Sequence, residues 1–380
     1  MSVSAKRVLF VLPSLRRGGA ETQVVDLVNG LDPIRFEKHL LVFESDPVLL
    51  ERVDRTQVKF YHCPRKSRFD LDVARQIANV IDNEKIDLVH CSLQIALFMG
   101  WLGIRFSKRK PPLVLAVHTT VNVSKRDDWF DKYLYQWLMR GCRKVIFVCQ
   151  AQEAYWQAKF PFLRTKSQVI YNGVDTDYFD PAQFVESGQS FRQGVGIPAD
   201  GRVISHIAGF RPEKGHGILI EAFERVLSAC PDVYLCLAGD GVMRPSIESM
   251  VSAKGLNGRV MFLGNVSDVR PMLAGSDISV IASTAVETFS IAMLESMAMR
   301  VPMVATNVGG TAEAVRNMKT GILVEVGDAG ALAEGMLFMI RHDSERVRMG
   351  NASRELVIEE FAEKNMNVGT ANLIGSVIAG

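Results

Sequence analysis

Short apolar runs alternate with longer amphipathic segments along the whole chain. The runs are RVLFVL, KHLLVF, IDLVHC, LVLAVH and KVIFVC in the first half, then VISHIAG, VYLCLAG, RVMFLG, ISVIAS and PMVAT in the second. Such runs are typical of parallel strands that helices cover on both faces. Segments of helical length, such as GAETQVVDLVNGL and KGHGILIEAFERVLSA, lie between them. The alternation predicts an α/β protein with two Rossmann-like domains facing each other across a cleft.

The length of the chain also indicates two domains. Its 380 residues exceed what one compact core usually holds. The alternation is interrupted at residues 181–200, where turn-forming residues are frequent and no clean period is visible. We therefore expect one domain over residues 1–185, a hinge at 181–200, and a second domain over 186–361.

Composition excludes several classes of protein. The six cysteines form no C-x-x-C pair, and no histidine cluster has metal-ligand spacing. This disfavours a disulfide framework and a zinc site, and a reducing cytoplasm fits. No apolar stretch approaches the roughly 20 residues that a membrane span needs. We therefore expect a cytoplasmic protein with no signal peptide and no transmembrane helix.

Charge is distributed unevenly, although the net charge is only +2. Residues 1–185 hold 27 lysines and arginines against 20 aspartates and glutamates, whereas residues 186–380 hold 17 against 22. The balance is therefore +7 in the first half and −5 in the second. A basic domain favours an anionic ligand or surface, although a basic solvated face is the commoner explanation.

Loops that follow the strands are the expected ligand sites, because ligands bind beyond the carboxyl ends of parallel strands. PSLRRGGAET places Gly18 and Gly19 before a helix, where the backbone can approach a ligand. A plain tight turn is an equal alternative. The pair is not a G-x-G-x-x-G fingerprint, which disfavours a dinucleotide dehydrogenase.

The second half has a denser set of loop residues. GFRPEKG carries Arg211 and Lys214 after one strand, and AGDG follows the next. In ETFSIAMLE, Glu287 lies in a loop and Glu295 lies inside the helix that we expect to begin at about Ser290. Unpaired amides at the start of such a helix attract a phosphate group. Taken alone, the two glutamates would more often be solvated helix charges.

Together and in order, these motifs resemble the retaining glycosyltransferases of family GT4, which have the GT-B fold. PMVATNVGG, DLVHCS, AVHTT and VIYNGVDTDYF extend the resemblance over nearly all of the chain. It implies that the second domain binds a nucleoside diphosphate sugar, with UDP favoured, and that the first binds the acceptor. It also implies that residues 362–380 form a helix that crosses back to the first domain. No cofactor and no metal ion are implied, and no nucleic acid partner is expected.

The resemblance also implies roles for single residues. The catalytic set is Glu287, which would hold hydroxyls of the transferred sugar, Lys214, which would neutralise the departing diphosphate, and His118, which would lie beside the sugar. The donor-binding residues are Gly19, Arg211, Lys214, Phe289, Ser290, Ile291 and Glu295, the last accepting hydrogen bonds from the ribose. Glu21 and His90 are expected on the acceptor side.

Some residues depart from the family or have structural alternatives. The family usually has an arginine five positions before the lysine, where this chain has Gly209, so Arg211 would have to compensate. His90 and His118 end apolar strands and, without the resemblance, would more often be structural histidines. The sequence DTD at 175–177 resembles a metal-binding motif of another fold, but it follows NGV in a turn and is interpreted as structural.

The predicted reaction is transfer of a sugar to an acceptor hydroxyl with retention of configuration, by positioning and charge stabilisation. The segment LQIALFMGWLGIRFSKRK, with the basic stretches at 64–68 and 124–126, fits a membrane-surface patch for a lipid-linked acceptor. A core helix with a basic tail is an alternative of equal weight. Polysaccharide or lipopolysaccharide synthesis is favoured over sucrose or glycogen-type transfer. A nucleotide-sugar epimerase and a non-catalytic sugar-nucleotide binder remain alternatives.

Overall fold

The computed structural model describes residues 5–16, 18–44, 48–67, 70–119 and 129–380. Two compact units are present. The first comprises Met1–Gly173 together with Glu363–Gly380, and the second comprises Val174–Ala362. Each unit is an α/β structure built on one parallel sheet, so the predicted α/β class with two Rossmann-like domains is confirmed.

The first unit contains a parallel sheet of seven strands in the order β3-β2-β1-β4-β5-β6-β7. Its strands are β1 (Lys6–Leu12), β2 (Phe36–Val42), β3 (Val58–His62), β4 (Leu88–Ser92), β5 (Leu113–Val117), β6 (Lys144–Phe147) and β7 (Ser167–Val169). The order reverses between β1 and β4, which pair in parallel with Val8 opposite Leu88. A reversal of this kind is where ligands bind in open α/β sheets.

Six helices belong to the first unit. They are α1 (Gly19–Gly30), α2 (Leu71–Asn83), α3 (Gln94–Phe106), α4 (the helical run 129–141), α5 (Gln150–Lys159) and α14 (Glu363–Ala379). Within α4, Asp131–Tyr135 form a turn of π-helix and Gln136–Gly141 continue as α-helix. Short 3₁₀ turns span Val48–Arg52 and Pro161–Thr165.

Helix α2 illustrates how local sequence determines these elements. The Asp70 carboxylate accepts a hydrogen bond from the Asp72 amide at 2.9 Å, which satisfies one of the unpaired donors at the helix start. Val73, Ile77 and Ile81 follow at helical spacing and are fully buried. The cap begins the helix and the apolar stripe attaches it to the sheet.

Apolar residues cover both faces of the first sheet. One cluster includes Leu9, Val89 and Leu115 under α2, α3 and α5, and the other includes Val8, Phe10 and Leu40 under α1. Helix α14 contributes Leu373 and Ile374 to the second cluster. The final helix is therefore part of the core of the first unit.

The second unit contains a parallel sheet of six strands in the order β10-β9-β8-β11-β12-β13. Its strands are β8 (Arg202–Ile207), β9 (Val233–Ala238), β10 (Val260–Gly264), β11 (Ile278–Ile281), β12 (Met303–Thr306) and β13 (Gly321–Val324). Its helices are α6 (Val185–Gly194), α7 (His216–Ala229), α8 (Arg244–Ala253), α9 (Arg270–Ala274), α10 (Ile291–Ala298), α11 (Thr311–Ala314), α12 (Ala329–Arg341) and α13 (Asp343–Glu360), with 3₁₀ turns at Pro181–Gln183 and Pro212–Lys214.

The division between the units falls at Gly173, earlier than the predicted boundary at residue 185. The segment after Gly173 packs with the second unit, because the Val174 amide donates to the Phe361 carbonyl at 3.0 Å and the Arg354 guanidinium donates to the Thr176 carbonyl at 3.2 Å. The Asp175 carboxylate accepts from the amide of Asp177 at 2.9 Å, so DTD forms a local turn.

The segment predicted as a hinge at 181–200 contains helix α6, which lies inside the second unit. A Cβ on Gly188 would lie 2.7 Å from the backbone of Ala274, so this glycine permits close helix packing. The Arg192 guanidinium donates to the Gly275 carbonyl at 2.7 Å and to Asp277 at 2.8 Å. Glycine and polar contacts replace the apolar stripe here, which is why no helical period is visible in the sequence.

Candidate functional site

Loops at the carboxyl ends of β8, β9, β11 and β12 pack against one another in the second unit. Gly215 has a φ of +67° and lies against Ala282, where a Cβ would come within 1.9 Å of the carbonyl oxygen. Gly239 has a φ of +136°, and a Cβ there would come within 2.1 Å of the Ala208 carbonyl oxygen. Only glycine tolerates both the left-handed backbone and this approach. The glycines of GFRPEKG and AGDG therefore allow the loops to form one surface.

Lys214 and Glu287 form an ion pair on this surface. The Lys214 ammonium donates to the Glu287 carboxylate at 2.7 Å, and both side chains are largely buried. The Ser283 hydroxyl donates to the same Glu287 oxygen at 2.8 Å. The sequence predicted both charged residues as site residues but did not predict that they pair, and Ser283 was missed. A serine directly after the strand ISVIA is the only sequence signal for it.

Backbone contacts fix the loop that carries Glu287. Gly309 has a φ of +58°, and a Cβ there would lie 1.7 Å from the Glu287 carbonyl oxygen. The Gly310 amide donates to the Thr288 carbonyl at 2.9 Å. The glycine pair of PMVATNVGG therefore holds the 287–288 backbone, a role that sequence reasoning did not assign.

Helix α10 begins immediately after this loop, as predicted. Ser290 is its N-cap, and its hydroxyl accepts from the Met293 amide at 3.3 Å. The Phe289 side chain is buried, with its ring 5.2 Å from that of Phe361. Ile291 is the first helical residue, and half-buried Glu295 lies in the second turn. The helix dipole and the amides at this end favour an anion near Ser290.

Arg211 lies at the edge of the same surface. Its side chain is exposed, and its guanidinium is 3.1 Å from the Glu213 carboxylate. A Cβ on Gly209 would have only ordinary contacts, the nearest being the Asp240 carbonyl at 3.6 Å. The Arg211 guanidinium also lies near position 209, 3.8 Å from where a Cβ on Gly209 would be. The backbone at position 209 therefore leaves space for a side chain.

Two buried histidines lie beside Lys214 and were not predicted as site residues. His206 Nδ1 donates to the Val280 carbonyl at 2.8 Å, which leaves Nε2 as the acceptor nitrogen. Burial lowers the pKa of His206 to about 4 and that of His216 to about 3, so both stay neutral near pH 7. His216 stacks on Phe210 with ring centroids 4.1 Å apart. The pair adds no positive charge beneath Lys214.

In the first unit, Gly19 and Glu21 occupy the first turn of α1. The Ser14 hydroxyl donates to the Glu21 carboxylate at 3.5 Å, and burial raises the pKa of that carboxyl. Gln23, one turn further, exchanges two hydrogen bonds with Gly173, at 2.9 and 2.8 Å. Gln23 was missed because its partner lies 150 positions away in the sequence.

His90 and His118 line a cavity of about 30 Å³ at the carboxyl ends of β4 and β5. Both ring nitrogens of His90, the Ser92 hydroxyl and His118 Nε2 are buried without a hydrogen-bond partner in the described part of the chain. Burial lowers the pKa of His90 to about 3 and that of His118 to about 4. Its walls are mostly apolar, and a cavity of this volume has room for about one water molecule or one ligand hydroxyl. The structure therefore brings these two predicted residues together.

One group of described residues has metal-ligand geometry. Atoms of Glu37, His39 and Glu84 lie within 4.8 Å of one another. The Lys59 ammonium, however, lies 2.8 Å from Glu37 and 3.0 Å from Glu84, and these bonds raise its pKa. The group is an ion-pair cluster formed by residues of β2 and β3 and by Glu84 at the end of α2, and it includes none of the predicted site residues.

Comparison with known proteins identifies the class. The profile described as glycosyl transferases group 1 matches residues 188–356, and the profile described as glycosyltransferase family 4 matches residues 17–178. Together the two profiles include strands β2 to β13 and the loops that follow them. The fold and the motifs are those of a GT-B glycosyltransferase.

Curated relatives match over most of their length. The chain is 30% identical over 311 residues to EpsD of Bacillus subtilis, named as a glycosyltransferase, covering 79% of this chain and 80% of EpsD. It is 26% identical to the N-acetyl-alpha-D-glucosaminyl L-malate synthase of Bacillus anthracis, covering 78% and 77%. It is 32% identical to the lipopolysaccharide core biosynthesis glycosyltransferase LpsE of Rhizobium meliloti, over 49% of this chain and 53% of LpsE.

A solved structure has the same fold. HepE of Anabaena, determined in complex with UDP-glucose, superposes with a TM-score of 0.83 over 97% of this chain and 99% of HepE, at 23% identity. The chain belongs to glycosyltransferase family 4, as the resemblance predicted. Among the described residues, no helix is both long and apolar enough to cross a bilayer.

Proposed function

We propose that the protein transfers a sugar from a UDP-sugar to an acceptor hydroxyl with retention of configuration and without a divalent metal. The observation that carries the proposal is the buried Lys214–Glu287 pair beside the start of α10. One member offers positive charge to a diphosphate, and the other offers carboxylate oxygens to sugar hydroxyls. Family 4 membership and the UDP-glucose complex of HepE support a nucleotide-sugar donor.

Within this proposal, the diphosphate binds at Lys214 and at the amides around Phe289, Ser290 and Ile291. Stabilising a departing diphosphate with preorganised charge is the largest contribution such a site makes. Glu295, one turn deeper in α10, accepts hydrogen bonds from the ribose hydroxyls, because a carboxylate is an acceptor only.

Arg211 and Glu287 complete the donor site. Arg211 supplements the positive charge that the family usually places at position 209. Glu287, oriented by Ser283, meets the sugar as positive charge develops on it.

The first unit supplies the remaining groups in this proposal. His118, neutral near pH 7, contacts the transferred sugar, and the backbone at Gly19 approaches the diphosphate. His90 and Glu21 are on the acceptor side. The unpartnered nitrogens around the small cavity at His90 and His118 support a ligand hydroxyl there.

We further propose a saccharide or lipid-linked saccharide acceptor in polysaccharide or lipopolysaccharide synthesis, in the cytoplasm and at the inner membrane surface. LpsE is named for lipopolysaccharide core biosynthesis, which supports this acceptor class. The N-acetyl-alpha-D-glucosaminyl L-malate synthase of Bacillus anthracis has a name that includes malate, a small hydroxy acid. An acceptor screen therefore includes both classes of hydroxyl compound.

The test is donor binding and turnover in a chelator. We expect UDP to raise the unfolding free energy by about 2.7 kcal/mol at 100 times its Kd, with EDTA present. Lys214→Ala is expected to lower turnover by about 10² to 10³, the usual effect of one charge-stabilising donor. Lys254→Ala, which removes a surface lysine paired with Glu224, is the matched control.

Three results would contradict the proposal: turnover that requires Mg²⁺ or Mn²⁺, no response to any uridine nucleotide, or an unchanged rate for Lys214→Ala. The anomeric coupling constant of the product reports retention or inversion. A new nucleotide sugar formed without acceptor would indicate an epimerase. Donor binding with no release of nucleotide in any acceptor mixture would indicate a binder.

A further inference from the structure

Helix α4 exposes three aromatic side chains on one side of the first unit. Trp129, Tyr133 and Trp137 follow at intervals of four residues, with exposed fractions of 57%, 54% and 62%. The opposite side of the helix is buried through Tyr135 and Leu138. The helix is therefore attached by one face, and its aromatic face does not contribute to the core of the unit.

Basic residues flank these aromatic side chains. The Lys132 ammonium lies 5.4 Å from the Tyr133 ring, and the Arg140 guanidinium lies 4.5 Å from the Trp137 ring. Neither forms an ion pair with a carboxylate in the described part of the chain. The two cations are therefore available to an anionic partner.

The surface continues onto the end of α3. A Cβ on Gly141 would lie 3.7 Å from the indole nitrogen of Trp101, and the Arg105 guanidinium lies 5.4 Å from the Trp101 ring. Phe106, the last residue of α3, is also exposed. The basic stretch at 124–126 lies outside the described residues and is not included.

We propose that this aromatic and basic face of α4 binds the surface of an anionic phospholipid bilayer. Tryptophan and tyrosine are enriched at membrane interfaces, because an apolar ring and a polar atom suit the boundary between acyl chains and water. Lysine and arginine beside them match the negative charge of the lipid head groups. The aromatic rings insert, and the cations select anionic lipid.

The proposal centres membrane binding on α4, and it overlaps the basic-patch prediction only at the end of α3. It rests on the proposed function, because membrane binding would bring the protein to a lipid-linked acceptor. Vesicle binding is measured without donor or acceptor, however, so failure of the membrane proposal and failure of the proposed transfer are distinguishable.

The experiment measures co-sedimentation of the full chain with phosphatidylcholine vesicles, with and without phosphatidylglycerol. We expect binding only when phosphatidylglycerol is present. Trp137→Ser with Tyr133→Ser is expected to weaken binding on the order of tenfold, through lost apolar burial. Lys132→Gln with Arg140→Gln is expected to weaken it about 25-fold, since each basic residue near an anionic surface contributes about fivefold.

Two control variants isolate the site. Ile34→Ser removes an exposed apolar side chain elsewhere in the first unit, and Arg75→Gln removes an exposed charge on α2. Both are expected to bind vesicles as the unmodified protein does. An unchanged urea unfolding midpoint, followed by tryptophan fluorescence, shows that the first unit of each variant is folded, because all four tryptophans lie in that unit.

Tryptophan fluorescence gives a second measurement. Vesicles should shift the emission of exposed Trp129 and Trp137 to the blue, and replacing both with Phe should remove most of the shift, leaving only what half-buried Trp101 contributes. Equal binding to neutral vesicles, no binding, or binding unchanged in both double variants would overturn the proposal. Concentration-dependent self-association lost in Trp137→Ser would also overturn it, in favour of a second copy of the chain.

Discussion

Lys214 and Glu287 compensate each other's charge inside a largely buried site, so a substitution at either one affects both. Removing one partner of a buried pair leaves the other charge uncompensated, which is usually strongly destabilising. A donor that brings two phosphates to Lys214 would replace Glu287 as its partner and leave the carboxylate for the sugar. The pair thus keeps both groups in place before the donor binds.

The two glutamates of α10 and its preceding loop are expected to give different kinetic profiles. Glu295→Gln should weaken binding of donor and free UDP by roughly 1.5 to 3 kcal/mol, because the proposed ribose contact would be the same in the ground and transition states. Glu287→Gln should lower kcat without raising the Kd of UDP, because it removes no contact with the nucleotide and releases Lys214 from its competing partner. Calorimetry and saturating-donor kinetics measure the two quantities, and identical profiles would refute this division of roles.

Gly309 provides a test of the loop geometry. Gly309→Ala should reduce donor turnover strongly, because its Cβ would collide with the Glu287 carbonyl. Gly327→Ala is the matched control: Gly327 also has a positive φ, +84°, but nothing lies within 4 Å of its Cβ position. Gly327→Ala should lose about 1 kcal/mol of unfolding free energy from backbone strain, and Gly309→Ala should lose more, because the collision adds to the strain. Equal turnover in the two variants would show that the contact is unimportant.

At the scale of secondary structure, the sequence predicted the central strands and one edge strand, β10, and missed the other three edge strands. All ten predicted runs are strands or adjoin them, whereas β3, β7 and β13 were not predicted. These three end their sheets and are partly exposed. β3 and β7 lack a continuous apolar run, and β13 has only the short run ILV. Helix α6 was missed because glycine and polar contacts replace its apolar stripe.

The sequence predicted those site residues that follow a strand and missed those whose contacts join distant parts of the chain. Motif order identified Lys214, Glu287 and Ser290 because each lies next to a strand end in the sequence. The contacts of Gly309 with Glu287 and of Gln23 with Gly173 join distant positions, and only the folded chain brings them together. His206 was not distinguishable from an ordinary core residue because it lies inside an apolar strand.

Helix α14 should stabilise the first unit specifically. Ile374→Ala removes a fully buried side chain from the cluster under β1 and should lower the unfolding free energy by about 2 to 5 kcal/mol. Val368→Ala, at an exposed position of the same helix, should change it by less than about 0.5 kcal/mol. All four tryptophans lie in the first unit, so urea unfolding followed by their fluorescence reports this unit alone. Equal effects of the two substitutions would contradict the packing.

At the scale of the whole molecule, each unit contains a pair of buried neutral histidines, His90 with His118 and His206 with His216. Their pKa values are depressed to about 3 or 4 in the folded chain, whereas an unfolded histidine titrates near 6.5. Their contribution to stability is therefore complete above pH 6.5 and is lost as the pH falls from 6.5 towards 4. Both units should become less stable in mild acid.

His90→Asn should reduce this acid sensitivity in the first unit. Between pH 7 and pH 5 the unmodified protein should lose about 2 kcal/mol more unfolding free energy than the variant does, because one proton fewer is taken up on unfolding. Tryptophan fluorescence in urea at the two pH values measures the difference. His62→Asn, at an exposed position, is the control. Equal losses of unfolding free energy between pH 7 and pH 5 in the His90 variant and the unmodified protein would be inconsistent with a neutral buried His90.

The chain leaves the first unit at Gly173 and returns to it at Glu363. The ribosome therefore completes the whole second unit before it synthesises the last helix of the first. During translation the second unit has all of its strands available while the face of the first sheet that receives Leu373 and Ile374 is still uncovered. The unit that is encoded first is thus the last to close its core, and its exposed apolar face is the part of the nascent chain most open to chaperones or aggregation.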